Sequence, residues 1–150
     1  MTLSKQMIQV KTIGAIAYEE RDAGEAGIYP GMLCKVDTDG DVVKHATEGG
    51  RGECLIAIED SLQGRGVDTV YTTDYPVRLE IFRPGEEFHG LLKAGQVLSK
   101  GEGLISSGDG TFKSATDSGL SIDAIIAYAM EDEDLSASGS ENTLIHMRAA

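Results

Sequence analysis

The sequence predicts an all-β protein: a compact β-barrel or sandwich, jelly-roll-like, built from two related hairpin-plus-strand halves behind an extended N-terminal arm. Three observations carry that prediction. Nineteen glycines against three prolines divide 150 residues into short segments, the pattern of many turns between short strands. Between the turns, residues either alternate with period two or form brief apolar runs. One order of signals also occurs twice: a glycine turn, a strand, an Asp-Gly turn, a strand, an apolar run, and two acids that end it.

Residues 1–6 are polar. In 7–13, Ile8 and Val10 fall on one face and Gln9 and Lys11 on the other, which suits a half-buried edge strand or an arm laid on a partner. Residues 1–13 are therefore set apart as an arm, and 14–150 as a single β-rich domain. The acidic, glycine-bearing residues 18–27 read as a loop. Pro30-Gly31 then presets a tight turn, proline fixing φ and glycine accepting the positive φ that follows. Met32, Cys34 and Val36 share one face of the next strand, and Asp39-Gly40 suits a hairpin turn into 41–47. Cys54-Leu55-Ile56-Ala57-Ile58 is apolar on both faces and stopped by Glu59-Asp60, as in a fully buried strand.

Residues 61–66 form a glycine-punctuated connector, and 70–73 a short strand. The clearest period-two strand is 76–82, with Val77, Leu79 and Ile81 inward and Arg78 and Glu80 outward. Arg83-Pro84-Gly85-Glu86 is a turn, and 88–93 fits a strand or one helical turn, Gly90 weakening the helix. The second copy of the pattern follows as 94–100, 107–116 and 124–130. Gly31 answers to Gly95, Asp39-Gly40 to Asp109-Gly110, Lys44 to Lys113 and Glu59-Asp60 to Glu131-Asp132, at a spacing of roughly 70 residues. Residues 122–130 also fit an amphipathic helix capped by Ser121. A strand is preferred because the counterpart at 54–58 is too short for a helix and rich in β-branched residues. Residues 136–142 are a polar linker, and 143–148 a terminal strand that completes a sheet.

The formal charge of −12 divides evenly between the two halves. Such a surface repels phosphate backbones and anionic lipid, which argues against nucleic-acid or membrane partners. No apolar run approaches the ~20 residues needed to span a bilayer. With no Trp and 5% aromatic residues, the core is modest and stands to gain from association. Cys34 and Cys54 lie in apolar strands with no export signal ahead of them, so buried free thiols are expected, with a disulfide as the lesser alternative.

Motifs for chemistry are weak. Asp37-Thr38-Asp39-Gly40-Asp41 invites a calcium reading, but its glycine is fourth where an EF-hand needs it sixth. A hairpin turn is the better reading. Residues 131–134 are four acids in a row, read as a solvated strand end, and no metal site is assigned. His45, His89 and His146 lie in separate elements without zinc spacing, and are expected as surface or interface imidazoles. No GxSxG, P-loop or dinucleotide fingerprint occurs, so neither a catalytic residue nor a cofactor is assigned. The loops around Arg51 and Arg65 are read as flexible, with the two arginines available to an acidic partner surface.

In order along the chain stand Pro30-Gly31-x-Leu33, the first Asp-Gly hairpin, Ala57-x-Glu59-Asp60, Gly64-x-Gly66, Arg83-Pro84-Gly85-Glu86, and Gly95 leading to Lys100-Gly101. Gly108-Asp109-Gly110-Thr111 and Ala129-Met130-Glu131-Asp132-x-Asp134-Leu135-Ser136 complete the series. Over residues 28–148 this series resembles the capsid decoration, or cement, proteins of tailed bacteriophages. It departs from them at Asp74-Tyr75, where the family often has glycine before the middle strand. The resemblance implies a non-enzymatic virion protein, made in the host cytoplasm, on the outer face of the capsid. Its partners would be the major capsid protein and itself, as dimer or trimer. Ile8, Val10 and Ile13 of the arm are the expected contacts, with Arg51 and Arg65. The alternatives are a free β-barrel module binding a small molecule or glycan, and a hydrolase with an unrecognised site.

Overall fold

The computed structural model describes residues 5–118 and 124–150. Among them lie thirteen strands: β1 Gln9–Lys11, β2 Ala17–Asp22, β3 Cys34–Val36, β4 Val42–Lys44, β5 Leu55–Ala57, β6 Pro76–Ile81, β7 Glu87–Leu92, β8 Val97–Leu98, β9 Gly103–Ser106, β10 Phe112–Ser114, β11 Ala127–Ala129, β12 Glu133–Asp134 and β13 Thr143–Ala149. The helical content of these residues is two short 3-10 turns, Ser61–Gln63 and Ala115–Ser118.

The second half of the chain closes a five-stranded mixed barrel in the order β7-β10-β9-β11-β13, with β13 returning to β7. Six consecutive antiparallel pairs, Thr143↔Leu92 to Arg148↔Glu87, make that seam. The opposite edge of β7 is shared, β1 taking its start and β10 meeting its end in parallel at Phe112↔Leu92. Closure removes free sheet edges, and it leaves a tapered interior that side chains must fill. Phe88, Leu92, Leu104, Phe112, Ile145 and Met147 fill it, all essentially unexposed. Gly90 leaves room here, because a Cβ would stand 2.4 Å from Met147 Sδ and the methionine would have to shift.

The first half builds a second layer. β2, β6 and β5 form an antiparallel sheet, and β3 and β4 the first hairpin. Between them lies a separate core that includes Ile28, Val42, Leu55, Tyr71, Val77 and Leu79. β5 belongs to both cores: Leu55 and Ala57 point into the second, while Ile56, flanked by Cys54 and Ile58, points into the barrel-side core. This is the two-faced strand that the apolar run predicted. The duplicated Asp-Gly hairpins are both present, and they meet where Leu33 N–H donates to Gly110 O at 2.8 Å and Gly110 N–H to His45 O at 3.2 Å. The strand entering the second turn is β9, however, and not 94–100. Of that segment only β8 is extended, and it pairs with β12. The two apolar strands also differ in partners, since β5 joins β6 while β11 joins β9 and β13.

Other expectations are corrected. Residues 17–22 are a strand, not a loop. β2 pairs with β6 over six residues, but both its faces are largely exposed, so no apolar period marks it. Glu80, expected outward, is buried, because Gln9 of β1 covers it and donates its side-chain amide at 3.2 Å. Residues 70–73 contribute only the isolated bridge Ile28↔Tyr71. β7 resolves 88–93 as strand, and residues 127–129 of the ambiguous 122–130 are strand too; 122 and 123 lie outside the described residues. Both cysteines are free and buried, in different cores. Burial pushes the Cys34 thiol up to about 12, and raises Cys54 likewise, so neither is poised as a thiolate. Asp74 carries φ +62, the one positive value among the described non-glycine residues, a backbone that glycine adopts without steric cost.

Gly31 and Gly95, equivalent in the duplicated pattern, separate two demands on glycine. Both have φ near +90, at +91 and +88, but a Cβ on Gly31 would meet Leu144 Cδ2 at 2.4 Å, while one on Gly95 meets nothing within 4 Å. Gly95→Ala is expected to cost only backbone strain, about 1–2 kcal/mol. Gly31→Ala adds overpacking of about 1–3 kcal/mol. Urea midpoints of the two variants check this, and equal losses would refute the close approach at Gly31.

Candidate interface at the N-terminal segment

A run of chain that exposes many large apolar side chains is the first candidate for a contact surface in a protein whose remaining surface is acidic. Residues 7–18 are such a run. Met7, Val10, Ile13, Ile16 and Tyr18 are each between 37% and 56% exposed. Short period-two segments alternate inside and outside, and Ile8 and Val10 should then share a face. They do not. The pairing of β1 with β7 shifts register between Gln9 and Lys11, a β-bulge that turns the side chains beyond it. Ile8 is completely buried in the barrel-side core, and Val10 faces out. Ile8 is thus an anchor to the chain's own body and is withdrawn from the expected contact set, whereas Val10 and Ile13 stay available to a partner.

Side chains from several elements moor the segment. Ile8 N–H donates to Glu59 Oε2 at 3.1 Å, and Ile13 N–H to Glu86 Oε1 at 3.0 Å. Arg83 donates from Nη2 to the carbonyls of Ile13 and Ala15, at 2.6 and 2.5 Å, while pairing with Glu86 at 2.8 Å. Lys5 pairs with Glu131 and donates to Leu144 O at 3.2 Å. The turn 83–86, legible from Pro84-Gly85, therefore works as a clamp: Glu86 also accepts from Arg83 N–H at 2.8 Å, closing the turn as it grips the arm. Nothing in the spacing announced that Glu59, Glu80 and Glu86 serve the arm, since all three lie more than 50 residues from it in sequence and reach it only through the fold.

Electrostatics follow from these partners. Burial raises the Glu80 carboxyl, and the neighbouring Glu86 and Glu59 add to that, against the lowering effect of Gln9. Burial also acts to raise Glu86, but the hydrogen bonds from Ile13 and Arg83 outweigh it and hold the carboxyl below its ordinary value. Glu131 is likewise lowered on balance: burial opposes, and Lys5 with the His146 amide prevails.

The remaining expected residues do not gather here. Arg51 is exposed on its loop. Arg65 lies over the Tyr75 ring at 4.2 Å, a cation–π contact. Among the described residues neither hydrogen-bonds to the N-terminal segment. His45 is not a surface imidazole. It is buried between the hairpins with Nδ1 2.8 Å from Ser106 Oγ and Nε2 3.1 Å from Arg51 O. His89, lowered by burial, lies edge-on to His146, which pairs with Glu87 at 2.9 Å. Asp37 Oδ1 accepts from the Asp39 and Asp41 amides at 2.9 and 3.0 Å, so the supposed calcium loop is a capped hairpin turn. Within 131–134, Asp132 accepts from Lys100 N–H at 2.7 Å and Asp134 from Ser136 N–H at 2.9 Å. Among the described residues no group of three His, Cys, Asp or Glu is placed to hold a metal ion, and no helix is long and apolar enough to cross a membrane.

No protein-family model matches the chain, and a search of curated proteins finds no relative. Among solved structures it is similar to the head fiber gp8.5 N base of bacteriophage phi29, with a TM-score of 0.56 and 12% sequence identity over 91% of this chain and 95% of that one. At that identity the likeness is one of fold.

The mooring sets a pH dependence. A carboxylate lowered in the folded state contributes stability that is whole above its unfolded pKa, about 4.3 for Glu, and lost as pH falls through the lower folded value. Hydrogen-exchange protection of the Ile13 amide is therefore expected to hold from pH 7 to 5 and to collapse only below about 4. Glu86→Gln should weaken that protection at neutral pH. Protection lost already at pH 6 would contradict the clamp.

Proposed function

We propose that this chain is a structural protein of a tailed-phage head, seated on the outer face of the shell, where dimers or trimers of it cement neighbouring major capsid subunits. The observation that carries the reading is the moored N-terminal segment: apolar side chains held outward on a backbone fixed at both ends. A disordered tail with the same residues would have to be ordered on binding, at a cost in entropy. This segment is already ordered. The fold shared with a protein described as the base of a head fiber supports the same direction. The acidic surface supports a place away from the DNA-facing side. Cementing of this kind works by mass action, the protein binding the assembled lattice and not its separated subunits. Several contacts per oligomer then raise the effective concentration of the rest. No chemistry is assigned to it.

The alternative of a free barrel holding a small molecule or glycan is less favoured, because the barrel interior is filled by Phe88, Phe112 and their neighbours.

The test separates contact from folding. Val10→Ser with Ile13→Ser removes exposed apolar groups and is expected to leave the urea midpoint unchanged. It should lower occupancy on purified heads lacking the protein by at least about tenfold in apparent affinity, or roughly 1.4 kcal/mol. Ile8→Ala should cost about 2–5 kcal/mol of stability instead. Unchanged occupancy of the double variant, read by cosedimentation with heads, would sink the proposal.

A further inference from the structure

At the seam between the two cores lies a cavity of about 480 Å³, within the range of ligand sites. Its walls are the apolar side chains of Pro30, Met32, Val67, Leu91 and Leu144. Its Pro-Gly side is tied to the sheets. Gly31 N–H donates to Ala57 O at 2.8 Å and Leu91 N–H to Gly31 O at 2.9 Å, pinning the Pro-Gly turn to both β5 and β7. Leu144 lies against the bare Cα of Gly31.

The polar groups of the rim are of one kind. Asp68 and Glu141 line the cavity, and among the described residues neither carboxylate has a hydrogen bond or an ion pair. Asn142 has its side-chain carbonyl engaged by Ala94 N–H at 2.9 Å. The Tyr29 ring, 40% exposed, forms the remaining wall. Among the described residues no lysine, arginine or histidine lines the space. An anion would meet two like charges there, and a neutral apolar group would leave the carboxylates unused.

We propose that this groove receives a lysine or arginine side chain of a protein partner. Its methylene stem lies along Met32, Leu91 and Leu144, and its cationic head stands between Asp68, Glu141 and the face of Tyr29. The charge complementarity selects a cation, the apolar floor selects one on an alkyl stem, and aromatic faces attract such cations. Neither Val10 nor Ile13 lines the groove, so its failure would leave the head-surface reading standing.

The test uses the whole chain with labelled methyl groups. Nα-acetyl-arginine methylamide and Nα-acetyl-lysine methylamide are titrated while the signals of Val67, Leu91, Leu144 and Met32 are followed. Saturable shifts in the millimolar range are expected, with Nα-acetyl-norleucine methylamide at least tenfold weaker. Asp68→Asn with Glu141→Gln, both exposed positions, should weaken the basic probes about tenfold and leave norleucine as it was. Equal binding of norleucine, or shifts that persist in the double variant or centre on the acidic turn at 37–41, would overturn the proposal. Tighter binding of 1,5-diaminopentane than of the blocked amino acids would overturn the choice of a side chain as occupant.

Discussion

The fold depends on β5 being apolar on both faces. A strand with one wet face could close the barrel-side core or the hairpin-side core, but not both. Leu55 and Ala57 serve one and Ile56 with its flanks serves the other. Burying a side chain of this size contributes about 1.5–3 kcal/mol, and in β5 the contributions on opposite faces are joined by a single backbone. The two cores are consequently not independent modules. What loosens the hairpin layer also removes a wall from the barrel-side core.

That coupling explains why a chain without tryptophan is rigid enough to present a surface. The Pro30-Gly31 turn ties β5 to β7 by backbone hydrogen bonds on either side of Gly31, so the scaffold under the N-terminal segment is braced by both layers. β7 then carries β1, β10 and β13 at once. The segment that the proposed function uses is attached to β7, which has three paired neighbours, and its mooring carboxylates come from the turn before β7 and from the residues that follow β5 and β11.

Much of this was legible in the sequence, for identifiable reasons. Run 54–58, apolar throughout and stopped by two acids, reads as a strand buried on both faces, and Asp39-Gly40 and Asp109-Gly110 marked hairpins because few dipeptides accept that backbone. The terminal strand expected at 143–148 is β13, which runs one residue further, Thr143–Ala149. What was missed was information that no local pattern holds. β2 has polar side chains on both faces and exists through backbone pairing with β6. Glu80 is buried only because Gln9 arrives from a distant strand. Period-two spacing puts Ile8 and Val10 on one face, since a bulge such as the one between Gln9 and Lys11 leaves no signature in side-chain polarity. His45 reads from sequence as a surface or interface imidazole because the two hairpins that enclose it are 61 residues apart at its contact with Ser106.

The shift of register in β1 also decides how load passes through the molecule. A pull applied at Val10 or Ile13 runs along the backbone and within a few residues meets Ile8, seated in the barrel-side core, and the antiparallel ladder to β7. Traction in line with β1 would strain those ladder bonds together, as in a lap joint, and not peel them one after another.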